Sequence, residues 1–291
     1  MKVRIGYGLG VRTPTLDGGR FTELVDALEA LRFDSLWLSE RVTGASPEPM
    51  VGLAFAAART SRLKLGTSVQ VLPGRNVHLL AKAWASLDRL SSGRCLPAFG
   101  LGVADPREQA AFGVAREDRA RRFDESLPKL RALWAGEEVD GAAVAPTPVQ
   151  SPMDVWLGGI APSELRRVGR HGDGWLPSFC TPADVERARP IVEAEADAHG
   201  RSIDPEHWGA LIPYLAEAGP LPDPLVDAVR VRRPEVDPTE IVPAGLDAVR
   251  AAVGRFVEAG ASKFVLVPVV EPDDWAAHLG AVAAATHDLQ G

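Results

Sequence analysis

The sequence of 291 residues predicts an α/β fold, a (β/α)8 TIM barrel built as one domain over residues 1–291. Three observations point there. Short apolar runs alternate with amphipathic stretches from end to end, the pattern of parallel strands covered by helices. Eight such strand runs can be read along the chain, the number a closed barrel needs. The length is long for one ordinary domain but normal for a single barrel. An open doubly wound sheet is the alternative topology that the same alternation allows.

The elements follow in order. Val3–Leu9 is the first strand, and Phe21, Leu24, Val25 and Leu28 mark one face of the helix after it. Leu36–Leu38 is short and wholly apolar, hence a buried second strand, and Pro49 opens a helix running to Ala58. Leu63–Val71 is the third strand. The next helix, His78–Ser91, turns Leu80, Trp84 and Leu87 inward and stops at Gly93. Cys95–Phe99 is the fourth strand, running into Gly100-Leu101-Gly102. A long helix from about Glu117 to Trp134 contains Pro128, which should bend it, and ends at Gly136. Residues 137–152 read as a loop or small hairpin. Val155–Leu157, Trp175–Leu176, Trp208–Leu215 and Phe264–Val267 complete the strands. Helices over Leu246–Ala259 and Asp273–Leu289 flank the last of them. Glu217–Pro243 breaks the rhythm with six prolines and one short helical stretch, and reads as an insertion. It falls between strand seven and the last barrel helix, where it serves as a lid, as a pocket wall or as a plain surface loop.

Composition excludes several functions. A net charge of −7 argues against nucleic-acid or anionic-membrane partners, which need clustered positive charge. No run of apolar residues is long enough to span a membrane, and the N-terminus reads as a strand, so a cytoplasmic protein is expected. Cys95 and Cys180 are too few for a disulfide framework or a zinc cage. The six histidines show no metal-ligand spacing, so no metal is expected. The five lysines lie at strand starts or on helices, which disfavours Schiff-base chemistry. No Gly-x-Ser-x-Gly elbow is present, and few carboxylates fall at strand ends.

What the strand ends do offer is glycine. Gly158-Gly159-Ile160 leaves strand five just before Pro162, a residue suited to a helix start, and Gly172-Asp173-Gly174-Trp175 leads into strand six. Glycine lets a backbone approach a ligand, and a helix N-terminus presents N–H groups to an anion. The pair reads as a seat for a phosphate-bearing cofactor; two tight turns without a ligand are the alternative. A pocket poor in side-chain catalysts suits a cofactor that performs the reaction itself, which favours redox chemistry.

The chain resembles the luciferase-like monooxygenase family, and most of all its branch using the deazaflavin coenzyme F420. The matching segments are Asp34–Arg41, Leu65–Pro73, Leu87–Arg94, Phe99–Gly102, Arg122–Glu125, Trp156–Gly159, Gly172–Trp175 and Ala259–Pro268, in family order along nearly the whole chain. The resemblance implies a TIM barrel, a homodimer, and a flavin-like ring in the barrel mouth. It implies a cis peptide at Ser68-Val69 forming a bulge behind the ring. It assigns cofactor contacts to Glu40, Ser68, Val69, Gly100, Gly102, Gly158, Gly159, Ile160, Gly174 and Trp175. The branch commonly shows Asp-His after strand two; here the pair is Glu40-Arg41, and a glutamate found in some relatives is replaced by Val103. A sugar-phosphate substrate is thereby disfavoured.

Glu40 and Arg41 are the candidate catalytic residues, Glu40 accepting a hydrogen bond from the cofactor and Arg41 holding an anionic group. A salt bridge from Arg41 to Glu40 or Glu48 is the alternative. Arg122 and Glu125 are expected to pair on their helix. Trp84, Trp134, Trp208 and Tyr7 are expected in the core, and Cys180 as an inert thiol. The expected reaction is hydride transfer between F420 and a small organic substrate. The rivals are an FMN-dependent monooxygenase and a cofactor-binding relative without turnover.

Overall fold

The computed structural model describes residues 1–10 and 17–291. The chain begins with strand β1 (Arg4–Leu9), helix α1 (Gly18–Ala30), β2 (Ser35–Leu38), α2 (Pro49–Arg59), β3 (Lys64–Thr67), β4 (Gln70–Val71) and α3 (Val77–Leu90). The middle comprises β5 (Cys95–Leu96), β6 (Ala98–Gly100), α4 (Pro106–Phe112), α5 (Arg119–Trp134), β7 (Trp156–Leu157), α6 (Pro162–His171), β8 (Gly174–Trp175) and α7 (Pro182–Ala198). The last part holds β9 (Gly209–Tyr214), α8 (Asp223–Arg232), α9 (Pro238–Ile241), α10 (Leu246–Glu258), β10 (Lys263–Pro268) and α11 (Trp275–Thr286).

Helix starts follow local chemistry. Asp17, Glu48, Asn76, Asp105 and Thr181 each accept a backbone N–H of the turn they open, and α2, α4, α6 and α7 carry proline in the first turn. Helices α4 and α7 have no counterpart in the sequence reading. The proline-rich segment folds into α8 and α9, and residues 137–152 form a loop with one antiparallel bridge, Val139–Ala142. No described helix is long and apolar enough to cross a membrane.

Every strand ladder is parallel. One sheet runs β5-β3-β2-β1-β10-β9 and the other β4-β6-β7-β8. The pairs β3/β4 and β5/β6 are single barrel strands interrupted at Ser68-Val69 and at Pro97. Parallel bridges Trp175–Trp208 and Ser178–Leu211 join the sheets, closing eight barrel strands among the described residues.

The sheet sorts its side chains by alternation. Ile5, Tyr7, Leu9, Leu36 and Leu38 pack beneath the helices in the main core. Trp37, Ala98, Trp156, Leu176, Val265 and Val267 fill the barrel interior. The two indoles fit because two facing glycines lack a Cβ. A Cβ on Gly66 would stand 2.4 Å from the Trp37 ring, and one on Gly174 would stand 2.6 Å from the Trp156 ring. Below them, at the strand starts, Lys263 Nζ sits 5.7 Å from the Trp37 ring centroid and donates to Asp34 Oδ2 at 2.7 Å. Burial pulls the Lys263 ammonium down to about 8, with Asp34 opposing. Asp34, although burial pushes it up, is drawn by Lys263 and Lys64 to about 2. The indoles and Lys263 therefore block the barrel axis, leaving a small polar cavity of about 150 Å³ beneath them at the strand starts and a larger one at the other end.

Candidate active site

All eight barrel strands contribute to a cavity of about 480 Å³ at their C-terminal ends. Its inner wall is apolar, with Val69, Leu157, Leu176, Leu211 and Val267 among the lining residues. The Ser68-Val69 peptide is cis, as the resemblance implies, and it presents the Val69 side chain to the cavity. Gly100 is required behind it, because a Cβ there would lie 2.5 Å from Val69 Cγ2. The hydroxyl of Ser39 ties the bulge to β2 by donating to the Ser68 carbonyl at 2.9 Å.

Glu40 lines the cavity, but its carboxylate is committed. One oxygen accepts the Val71 N–H at 2.7 Å and the other is paired with Arg75. Burial pushes this carboxyl above its ordinary value, against the pull of Arg75. Its contacts make it a clamp across the bulge, from β2 to β4, while it remains on the cavity wall. Arg41 also lines the cavity, yet it pairs with Asp105 at 2.9 Å and lies 3.7 Å from Glu108, in place of Glu40 or Glu48. Those partners sit at the start of α4.

The glycine turns divide. Gly158 and Gly159 line the cavity, and Gly159 adopts φ +97°. Gly102 also lines it, at φ +80°, in a loop held from behind by Arg119, which donates to the carbonyls of Leu101 and Val103. Ile160 departs from expectation: its N–H, with that of Ala161, is bonded to the Glu164 carboxylate at 3.0 Å. Ala161 has no side-chain acceptor of its own, so Glu164 satisfies the start of α6. Gly174 and Trp175 do not line the cavity. Gly174 is buried and serves the Trp156 ring. Trp175 points into the helix layer and donates its indole N–H to the Gly159 carbonyl at 2.8 Å, bracing the turn from behind. Asp173 explains the rest of that motif, for it joins Arg131, Arg201 and the Val155 N–H.

Other expectations resolve in the same way. Trp84, Trp134, Trp208 and Tyr7 are buried, and the Tyr7 hydroxyl meets Tyr214 at 3.1 Å outside the barrel interior. Glu125 pairs with Arg121 at 2.9 Å, one turn apart, and not with Arg122. Cys180 is buried and its thiol is pushed well up by burial. Residues not foreseen at the cavity include Glu164, Arg167, Phe179, Leu225, Ala228 and Arg232. Leu225, Ala228 and Arg232 recur at helical spacing along α8, so the proline-rich segment supplies a wall of the cavity. Arg167 is bonded to Asp124 at 2.6 Å.

The titratable side chains among the described lining residues are Glu40, Arg41, Glu164, Arg167 and Arg232. Both carboxylates are already bonded within the protein. The site can hold a flat apolar group against Val69 and an anionic tail near its guanidinium rim, and it offers no free side-chain acid or base.

Comparison with known proteins agrees with this architecture. The sequence profile of the luciferase-like monooxygenase family matches residues 5–218. An F420-dependent glucose-6-phosphate dehydrogenase of Kineococcus radiotolerans is 29% identical over 205 residues, covering 63% of this chain and 60% of that protein. A limonene 1,2-monooxygenase of Rhodococcus erythropolis is 31% identical over 205 residues, covering 64% of this chain and 52% of that protein. The chain thus spans between half and two thirds of the length of these relatives. The crystal structure of monooxygenase RslO1 from Streptomyces bottropensis superposes with a TM-score of 0.79 at 23% identity, covering 98% of this chain and 99% of that one. With the profile covering most of its length and the cavity at the strand ends, this chain belongs to the luciferase-like monooxygenase family.

Proposed function

We propose that the protein is an oxidoreductase that uses the deazaflavin coenzyme F420 to exchange a hydride with a small organic substrate. The observation that carries this reading is an apolar cavity, backed by the Val69 bulge, in which both lining carboxylates are already engaged. The residues fit such a group: Val69, Leu176 and Val267 would flank the ring, and the Gly158-Gly159 turn lies on the same cavity as Arg167 for an anionic tail. When bound, the cofactor supplies the redox chemistry. The chain binds and orients it, keeps water from the apolar wall, and holds the bulge rigid through Glu40 and Arg75. The dehydrogenase relative uses F420 by name, which favours the deazaflavin.

A second reading is an FMN-dependent monooxygenase, favoured by the similarity to limonene 1,2-monooxygenase at comparable identity. Tryptophan quenching on titration with oxidised F420 or FMN, followed by assay of each reduced cofactor with and without oxygen, separates the two. Tight F420 binding with oxygen-independent turnover supports the first. Selective FMN binding with oxygen consumption supports the second, and binding without turnover supports a non-catalytic relative. We further propose that the protein is a cytoplasmic homodimer. Val51 and Phe55 on α2 are 69% and 40% exposed and offer an apolar face. Light scattering at the monomer mass would overturn that assembly.

A further inference from the structure

Phe179 lies just beyond β8, lines the cavity, and is a non-glycine residue in the left-handed region at φ +54°. Such a conformation is uncommon for a bulky residue and persists where surrounding contacts enforce it. Two consecutive arginines supply those contacts. The Arg232 guanidinium carbon stands 4.4 Å from the centroid of the Phe179 ring, and Arg233 Nη1 donates to the Phe179 carbonyl at 2.5 Å. Arg233 is itself pinned, since its guanidinium meets Asp184 at 2.8 and 3.3 Å and both side chains are buried. Asp184 is fixed in turn by the N–H and hydroxyl of Thr181 at the start of α7. Phe179 also packs against a separate small cluster of Val229, Ile241 and Val242, which holds α8 and α9 together.

Ring, latch and helix therefore form one unit. On the cavity side it presents Phe179, Leu225 and Ala228, with Val269 beside them. Resting on the cofactor reading above, we infer that Phe179, Leu225 and Ala228 form the substrate subsite, and that it selects apolar, uncharged molecules. Among the described residues the one charge on this wall is Arg232, whose guanidinium lies over the Phe179 ring. Ala228, the smallest of the three, sets the depth of the subsite.

The test uses Nile red, a neutral apolar fluorophore, titrated into the full-length protein, with cyclohexanone and cyclohexanecarboxylate as competitors. Phe179→Gly suits the positive φ but loses the ring's packing on the Val229 cluster, so the melting temperature should fall modestly and binding is measured well below it. Its affinity for Nile red should fall at least fivefold, and Ala228→Phe should do the same by filling the pocket. Phe179→Trp should retain binding, and Phe55→Ser, on the exposed α2 face, should leave it unchanged. Cyclohexanone should displace the dye at least tenfold better than the carboxylate. Absence of wild-type binding, unchanged affinity in Phe179→Gly, or loss of binding in Phe55→Ser overturns the inference. So does preferential displacement by the carboxylate that Arg232→Gln abolishes. Titration of Phe179→Gly with F420 and FMN should match the wild type. If neither cofactor binds the wild type, the proposed function fails while the dye experiment still judges the subsite.

Discussion

Gly174→Ala separates a glycine that serves packing from one that serves a ligand. The added Cβ would sit 2.6 Å from two Trp156 ring atoms and 2.8 Å from a third. Carbon atoms in optimal contact lie about 3.5–4.0 Å apart, so the overlap approaches 1 Å. Trp156 cannot yield easily, with its ring centroid 6.4 Å from that of Trp37, 5.1 Å from that of His207 and Lys263 below. Overpacking of this kind costs about 3 kcal/mol. With a urea slope of about 3 kcal/mol per molar, the unfolding midpoint should fall by about 1 M. Cofactor affinity, measured in buffer where the variant is folded, should match the wild type. A midpoint within 0.2 M of wild type (~0.6 kcal/mol at that slope), or selective loss of cofactor binding with stability intact, would refute the assignment of Gly174 to the barrel core.

Further outcomes follow from the same geometry. Arg233→Met removes one partner of a buried ion pair, which costs about 3 kcal/mol, the low end of the usual range because Arg187 and Thr181 still hold Asp184. The melting temperature should drop by roughly 6–12 °C, and adding Asp184→Asn should recover part of it; a drop under ~2 °C would count against the latch. Trp175→Phe deletes the indole N–H that donates to the Gly159 carbonyl, and should weaken cofactor binding about fivefold by titration, a loss of about 1 kcal/mol. The Asp34 carboxyl titrates at about 2 in the fold against 3.8 ordinarily. The unfolded chain therefore binds more protons as pH falls from about 4 to about 2, and stability is lost across that window by about 2 kcal/mol. Urea titrations should show this portion of the slope missing in Asp34→Asn; identical slopes would exclude the pair as its source.

Fold and site were legible to different depths for physical reasons. The period of apolar residues in Phe21–Leu28 or in β10 depends only on neighbours in the chain, so the alternation that builds a barrel could be read directly. Glycine chemistry at Gly158 and Gly159 also pointed to the cavity, since a turn at a strand end near a helix start is a local event, whereas Gly102 came only through the family resemblance. Gly174 carries the same signal, yet its missing Cβ serves a ring on another strand, a fact no spacing records. Glu40 and Arg41 were read to the cavity, which they line, but not to their partners: the ion pair offered as the alternative for Arg41 is made with Asp105, and Glu40 pairs with Arg75, both far along the chain. Helix α7 announces itself through Thr181, Pro182 and Asp184, a signal present but not read. The short helical stretch of α8 and its option as a pocket wall could be read between the prolines, but not which of its residues face the cavity, since so short a helix shows too little period.

The small cluster under α8 and α9 makes that stretch close to a cassette. Val229, Ile241 and Val242 bury one another, and a single arginine moors them to α7, so strand register owes little to their identity. Descendants of this chain can thus rewrite what enters the mouth from one side while the glycine turn opposite stays as it is. The face of α8 and the glycine turn are free to drift apart.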